Sequence, residues 1–271
     1  AFTTSSMNVS GVADGGSVSV AASHSDAAGN TGNASTTVVK DTAPLTITSA
    51  QTVDNDHNGK IDHYKISFNK SVKDSTFPGF VDNASMGSST LDWLVSGYNN
   101  RKIVGATHAP DIDASDNAND AVIYLAFDEK SGACDSTSQA GCDSGNKPDL
   151  TTTSTPGLQD MSGNVIAQVD VGTVTEADGA APIVVKATGI NNTSASVQFS
   201  ESVQASTAEC GAGSSQSGVV CSTRYTVSGS PAGVSVSSAI MSGGAGVDGT
   251  TVVLTTSAQT DLRSYTVTVT S

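Results

Sequence analysis

Apolar and polar residues alternate at every second position in several short runs of this chain. Tyr64, Ile66 and Phe68 face one way, Lys65, Ser67 and Asn69 the other, the period of a strand with one buried face. The same alternation sets Ala195, Val197 and Phe199 against Ser196, Gln198 and Ser200. It recurs in Tyr265, Val267 and Val269 against Thr266, Thr268 and Thr270, and in Val18 and Val20 against Ser17 and Ser19. Val122 to Phe127 is almost wholly apolar and reads as a central strand buried on both faces. Glycine-rich turns such as Asp14-Gly15-Gly16 and Ser242-Gly243-Gly244 separate these runs. No stretch sustains a helical period, so the pattern predicts an all-β chain.

The strands belong to a pattern that recurs along the chain. Asp41-Thr42-Ala43-Pro44 returns as Asp178-Gly179-Ala180-Ala181-Pro182, with Pro44 and Pro182 138 residues apart. Ile66-Ser67-Phe68-Asn69-Lys70-Ser71-Val72 matches Val197-Gln198-Phe199-Ser200-Glu201-Ser202-Val203 at an offset of 131. Asp26-Ala27-Ala28-Gly29-Asn30 is echoed by Asp160-Met161-Ser162-Gly163-Asn164 at an offset of 134. Repeats at a fixed period decide architecture before any single motif does. They divide the chain into residues 1–42, the last strands of one module; 43–179, a complete module; and 180–271, a module that stops before its final strands. The chain is thus expected to begin and end inside modules of a longer polypeptide. If it is instead a polymer subunit, the N-terminal strands of one copy would complete the C-terminal module of the next.

Composition narrows the function. The chain of 271 residues carries a net charge of −14, with 14% charged and 4% aromatic residues. Gly, Ser, Thr, Val and Ala dominate, which suits strands and turns. The acidity argues against nucleic-acid binding and against anionic lipid surfaces, and no apolar run is long enough to span a bilayer as a helix. Cysteines fall in two local pairs, Cys134 with Cys142 and Cys210 with Cys221, each bracketing a Gly- and Ser-containing stretch. That spacing predicts two loop-closing disulfides in an oxidising compartment. Neither pair is C-x-x-C, which disfavours zinc.

The sharpest chemical motif is Asp54-Asn55-Asp56-His57-Asn58-Gly59-Lys60-Ile61-Asp62. Ca²⁺ takes six to eight oxygen ligands in a compact loop. Asp54, Asp56 and Asn58 would supply side-chain oxygens, Lys60 its carbonyl, and Asp62 a carboxylate or a bridging water. Gly59 stands where an EF-hand loop turns sharply, and Ile61 would tuck into the core. The twelfth position is Lys65, not Glu, so the missing ligand must come from elsewhere or from water. An Asx-rich turn is the alternative. A second acidic stretch, Asp111, Asp113, Asp116 and Asp120, precedes the apolar strand and would complete this site, form another or be a solvated loop. His57 and His63 flank the first loop, but a transition-metal site needs convergence that spacing does not supply. No G-x-S-x-G elbow and no phosphate-binding glycine loop is present. Trp93 reads as core.

Val38-Val39-Lys40-Asp41-Thr42-Ala43-Pro44, the Asp-rich loop, Lys65-Ile66-Ser67-Phe68 and Asp160-Met161-Ser162-Gly163-Asn164 resemble bacterial Ig-like tandem repeats of large surface proteins: adhesin stalks, S-layer-like proteins and extracellular filaments. The resemblance implies tandem immunoglobulin-like β-sandwich modules, often calcium-stiffened, on the bacterial cell surface and without catalysis. Expected partners are neighbouring modules or copies of the same protein, and cell-surface or glycan ligands. The two cysteine-bearing inserts depart from the usual pattern. A carbohydrate-binding or accessory module of a secreted hydrolase is the alternative, poorly served by a single tryptophan.

Overall fold

The computed structural model describes residues 8–76, 93–98, 100–104 (backbone only), 118–152, 157–229, 233–260 and 263–270. The chain is all-β. β1 (Ser17–Ser25) and β2 (Thr31–Val39) form an antiparallel hairpin. β3 (Ile47–Val53), β4 (His63–Phe68), β5 (Trp93–Val95), β6 (Asn100–Val104), β7 (Val122–Phe127), β8 (Leu150–Thr152) and β9 (Glu176–Ala177) follow. Then come β10 (Val184–Asn191), β11 (Ser194–Val203), β12 (Cys210–Gly211), β13 (Tyr225–Gly229), β14 (Val236–Met241), β15 (Gly249–Thr256) and β16 (Tyr265–Val269). A single turn of helix, α1 (Ala205–Ala208), interrupts them.

Two hydrophobic cores organise these strands. The first runs from Leu45 to Val169 and centres on Tyr64, Ile66, Trp93, Leu125 and Leu150, all essentially without solvent exposure. It lies between a five-stranded sheet, β6-β7-β4-β3-β9, and the pair β5-β8. The second gathers Val197, Phe199, Tyr225, Met241, Val252 and Leu254. It lies between the sheet β10-β11-β15-β14-β12 and the pair β13-β16. Each unit is therefore sandwich-like. Four strands of each large sheet pair in corresponding order, β3-β4-β7-β6 and β10-β11-β15-β14. The additions differ: β9 joins β3 in parallel, whereas β12 joins β14.

The alternation in the sequence maps onto burial. Tyr64, Ile66 and Phe68 of β4 point into the first core, and Ala195, Val197 and Phe199 of β11 point inward in the second unit. β7 is buried on both faces: Ile123, Leu125 and Phe127 join the main core, Tyr124 and Ala126 a smaller cluster with Val53 and Val122. Trp93 is core, with no exposed surface. The hairpin departs from expectation. Val18 and Val20 predict a half-buried strand, yet nearly every residue of β1 and β2 is exposed, because no second sheet covers either face among the described residues. Its base is closed by Lys40, which donates to the carbonyls of Val9 and Val12, and by the Thr42 amide and hydroxyl, which donate to Asp14; Lys70 Nζ and Asn164 Nδ2 of the first unit bond Asp41 just beyond it.

The D-x-x-G-N motif is one turn made twice. In both copies the aspartate Oδ1 accepts the amides two and four residues on, and its Oδ2 accepts the asparagine Nδ2. Its amide donates to the asparagine carbonyl. The glycines, Gly29 and Gly163, have φ of 87° and 92°, a conformation that a Cβ would strain.

Candidate metal centre

The Asp-rich loop joins β3 to β4, whose ends are paired at Val53 and His63. It is folded by its own carboxylates. Asp54, 4% exposed, accepts the amides of Asn58 at 3.1 Å and Gly59 at 2.7 Å, the capping role that suits Asp before a tight turn. His57 and Gly59 take the left-handed conformation, φ 57° and 86°. Asp62 Oδ1 accepts the Asn55 amide at 3.1 Å and lies 2.7 Å from His63 Nδ1. Ile61 is fully buried, as expected, and its amide donates to Asp143 Oδ1 at 2.9 Å.

Three carboxylates converge on the outer side of this loop. Asp56, Asp62 and Glu129 each place an oxygen within 4.8 Å of the others. Glu129 follows β7, the antiparallel neighbour of β4, so sheet pairing carries it to the mouth of the loop. Asn58 Nδ2 donates to Asp56 at 2.8 Å and to Glu129 at 2.7 Å, and Lys60 Nζ lies 3.2 Å from Glu129. Three negative groups thus share little room, held apart by one amide and one ammonium. This is an arrangement that a hard divalent cation would stabilise.

The structure sorts the expected ligands. Asp56 and Asp62 stand in the cluster. Asp54 does not, because both its oxygens are turned to loop amides, where burial, the largest influence, pushes its carboxyl above the usual range. Asn58 borders the cluster through Nδ2, while its Oδ1 accepts the Lys60 amide. Lys60 contributes its side chain, to Glu129. Asp120 is not brought near: it precedes β7, whereas Glu129 follows it, so a six-residue strand of roughly 20 Å separates them. It bonds the Val122 amide instead. Asp111, Asp113 and Asp116 lie outside the described residues. Glu129 escaped the sequence reading because it is 71 residues from Asn58. The signal that could have found it is the apolar strand immediately before it.

Both disulfides form, Cys134–Cys142 and Cys210–Cys221. The first closes a hairpin that ties the Asp-rich loop to the second unit. The Gly59 carbonyl accepts the amides of Asp143 at 3.0 Å and Ser144 at 3.1 Å. Ser144 Oγ meets Ser200 Oγ at 2.8 Å, and Gln139 Nε2 donates to the Phe199 carbonyl at 2.7 Å. A Cβ on Gly59 would stand 2.5 Å from Cys134 Sγ and 3.0 Å from Ser200 Cβ, so only glycine lets these three segments meet.

Beside the second disulfide stands a different device. Glu209 is fully buried, and its oxygens accept the amides of Ser215, Met241 and Gly246 and the Ser215 hydroxyl. Burial alone would raise its carboxyl; the Ser215 hydroxyl and the three amides outweigh that and hold it below the ordinary range. It was not singled out in the sequence, where it is one glutamate beside a cysteine. Comparison with known protein families, characterised proteins and solved structures returns no match to this chain.

Proposed function

We propose that this chain is a structural or adhesive segment of an extracellular bacterial surface protein, built of tandem Ig-like units and stiffened by Ca²⁺ at the Asp-rich loop. The observation that carries the reading is the convergence of Asp56, Asp62 and Glu129 beside Gly59, the residue whose carbonyl and close packing link the loop to the disulfide hairpin and, through Ser144 and Ser200, to the second unit. A cation there would fix the loop and, with it, the contact between the units. The two disulfides fit an oxidising, extracellular setting, and no helix is long and apolar enough to cross a membrane among the described residues. A sugar-binding platform draws little support from the described aromatics, since Trp93, Tyr64, Tyr124 and Tyr225 are buried and Tyr98 and Tyr265 are only half-exposed.

Calcium titration by calorimetry on the full chain, with thermal melts alongside, tests this. Saturable binding is expected in the range of extracellular modules, about 10⁻⁴ to 10⁻³ M, with a raised melting temperature that Asp56→Ala abolishes. Absence of binding, with identical melts in calcium and in EDTA, would reduce the loop to an Asx-rich turn.

A further inference from the structure

The segments that lead into the two large sheets are anchored by the same bonds. Asn69, after β4, donates its amide to the Thr46 carbonyl and accepts the Thr46 amide on Oδ1. Ser200, in β11, donates its amide to the Ile183 carbonyl and accepts the Ile183 amide on Oγ. Five residues before Thr46 stands Asp41, and five before Ile183 stands Asp178; directly after Asn69 stands Lys70, and directly after Ser200 stands Glu201. At the first entry, Lys70 Nζ bonds Asp41, donates to the Ala43 carbonyl at 2.7 Å and reaches Asp160 at 3.3 Å. The bond to Asp41, the largest influence, raises the lysine above its ordinary range.

At the second entry the corresponding contact has lost its positive partner. The carboxyls of Glu201 and Asp178 crowd one small space: a Cβ on Gly145 would stand 2.9 Å from Glu201 Oε2 and 3.8 Å from Asp178 Oδ2. Two carboxyls can hydrogen-bond to each other only while one of them holds a proton. We propose that the Asp178–Glu201 contact is a proton-dependent latch on the entry to the second unit, closed while the two carboxyls share a proton and loosened when that proton leaves.

The surroundings favour this chemistry. The connecting segment presents Asp178, the 143–145 turn presents the Ser144 hydroxyl, and the Asp-rich loop presents Asp54 at longer range. Asp143, on the same turn, is committed to the Ile61 amide and the Tyr98 hydroxyl. The ionisable groups that act most on Glu201, Asp178 and Asp54, are both acidic, and among the described residues its Oε1 is enclosed without a hydrogen-bond partner. Burial first, then Asp178, push the Glu201 carboxyl up to about 7, against the opposing Ser144 hydrogen bond. An unfolded glutamate titrates near ~4.3. Between these values the folded chain binds more protons than the unfolded one, so stability falls as pH rises through the window and levels off above it.

The latch is independent of the calcium reading, because its test is made on the full chain in EDTA. Melting temperatures of the wild type, Glu201→Gln and Glu201→Lys are measured from pH 5 to 8, and the Glu201 carboxyl carbon is followed by NMR. The wild type is expected to lose about 2–4 °C relative to Glu201→Gln across this range, with the carboxyl titrating near the top of it. Glu201→Lys, which restores the pairing of the first entry, is expected to track Glu201→Gln in its pH dependence. A constant difference between wild type and Glu201→Gln, or a carboxyl that titrates near the ordinary glutamate value, overturns the proposal. So does recovery of the wild-type loss at pH 8 by calcium in an Asp56→Asn background, since a cation would then be replacing the proton.

Discussion

Glu209 and the Asp56–Asp62–Glu129 cluster show two ways of keeping negative charge in a loop-rich β-protein. Glu209 is wholly buried yet meets three backbone amides and a hydroxyl, all fixed by the strands and turns around it. Its charge is neutralised by dipoles that folding itself supplies. The three carboxylates of the first unit have no comparable set of amides. Asp54 takes two loop amides and Asp62 one, leaving the carboxylates of the cluster to face one another around Asn58 and Lys60. Each carboxylate thus closes a loop, but the first does so as part of the fold, whereas the second group leaves room for an added cation. The contrast is between a complete polar network and one with a free valence.

The largest test of that contrast is Glu209→Gln. Removing the charge while keeping the shape leaves several donors poorly matched, and we expect a cost of about 3 kcal/mol or more in urea unfolding. Because the folded-state carboxyl is depressed, its stabilisation is present above the unfolded glutamate pKa and is lost as pH falls below it. Wild type and variant should therefore converge in acid. Asp56→Asn in EDTA should change stability by no more than about 0.5 kcal/mol; a cost as large as that of Glu209→Gln would end the distinction between the two sites.

Next in size is the covalent constraint around Glu209. Replacing Cys210 and Cys221 together by serine, which opens a loop with a sequence separation of 11, should cost about 2–3 kcal/mol by chemical denaturation. A markedly smaller loss would mean that Glu209 alone holds the loop. Calcium should add about 2.7 kcal/mol at a hundredfold excess over its dissociation constant, read as a shift of the urea midpoint. That gain should survive Glu209→Gln and vanish in Asp56→Ala.

The smallest effect separates a turn inside a packed unit from its copy outside one. Gly163→Ala and Gly29→Ala meet no neighbouring atom, so only backbone strain remains. In Gly163 this should cost about 1 kcal/mol of global stability. In Gly29 the strain should fray the exposed hairpin, seen by hydrogen exchange at β1 and β2, and leave the main unfolding transition in place.

Much of this was legible from residue order because it depends on short-range rules. Alternation placed β4, β11 and β16; the unbroken apolar run placed β7; local spacing placed both disulfides; and D-x-x-G-N marked a turn whose closing bonds lie within five residues. The candidate site was legible only in part. Asp56 and Asp62 belong to one loop, but their partner Glu129 is delivered by sheet pairing, which no local motif encodes. Asp54 met the ligand spacing and was claimed instead by two amides, since spacing cannot tell a carboxylate facing outward from one capping its own turn. Glu209 gave no signal, because its environment is assembled from backbone groups of Ser215, Met241 and Gly246. The exposure of β1 and β2 was equally invisible: alternation states that a strand has a face to bury, not that anything is there to cover it.

The parallel pairing of β3 with β9 has a mechanical meaning. These are the first and last strands of the larger unit, and they meet at Ala50 with Glu176 and Gln51 with Ala177. A pull on the chain at both ends of that unit drags β3 backward and β9 forward along a common axis. The bonds between them are then loaded in shear, all at once, instead of being unzipped one by one. Two residue pairs and the bond from the Gly179 amide to Thr52 Oγ1 would carry that load, so the force at which this unit yields is set by a clasp of very few bonds.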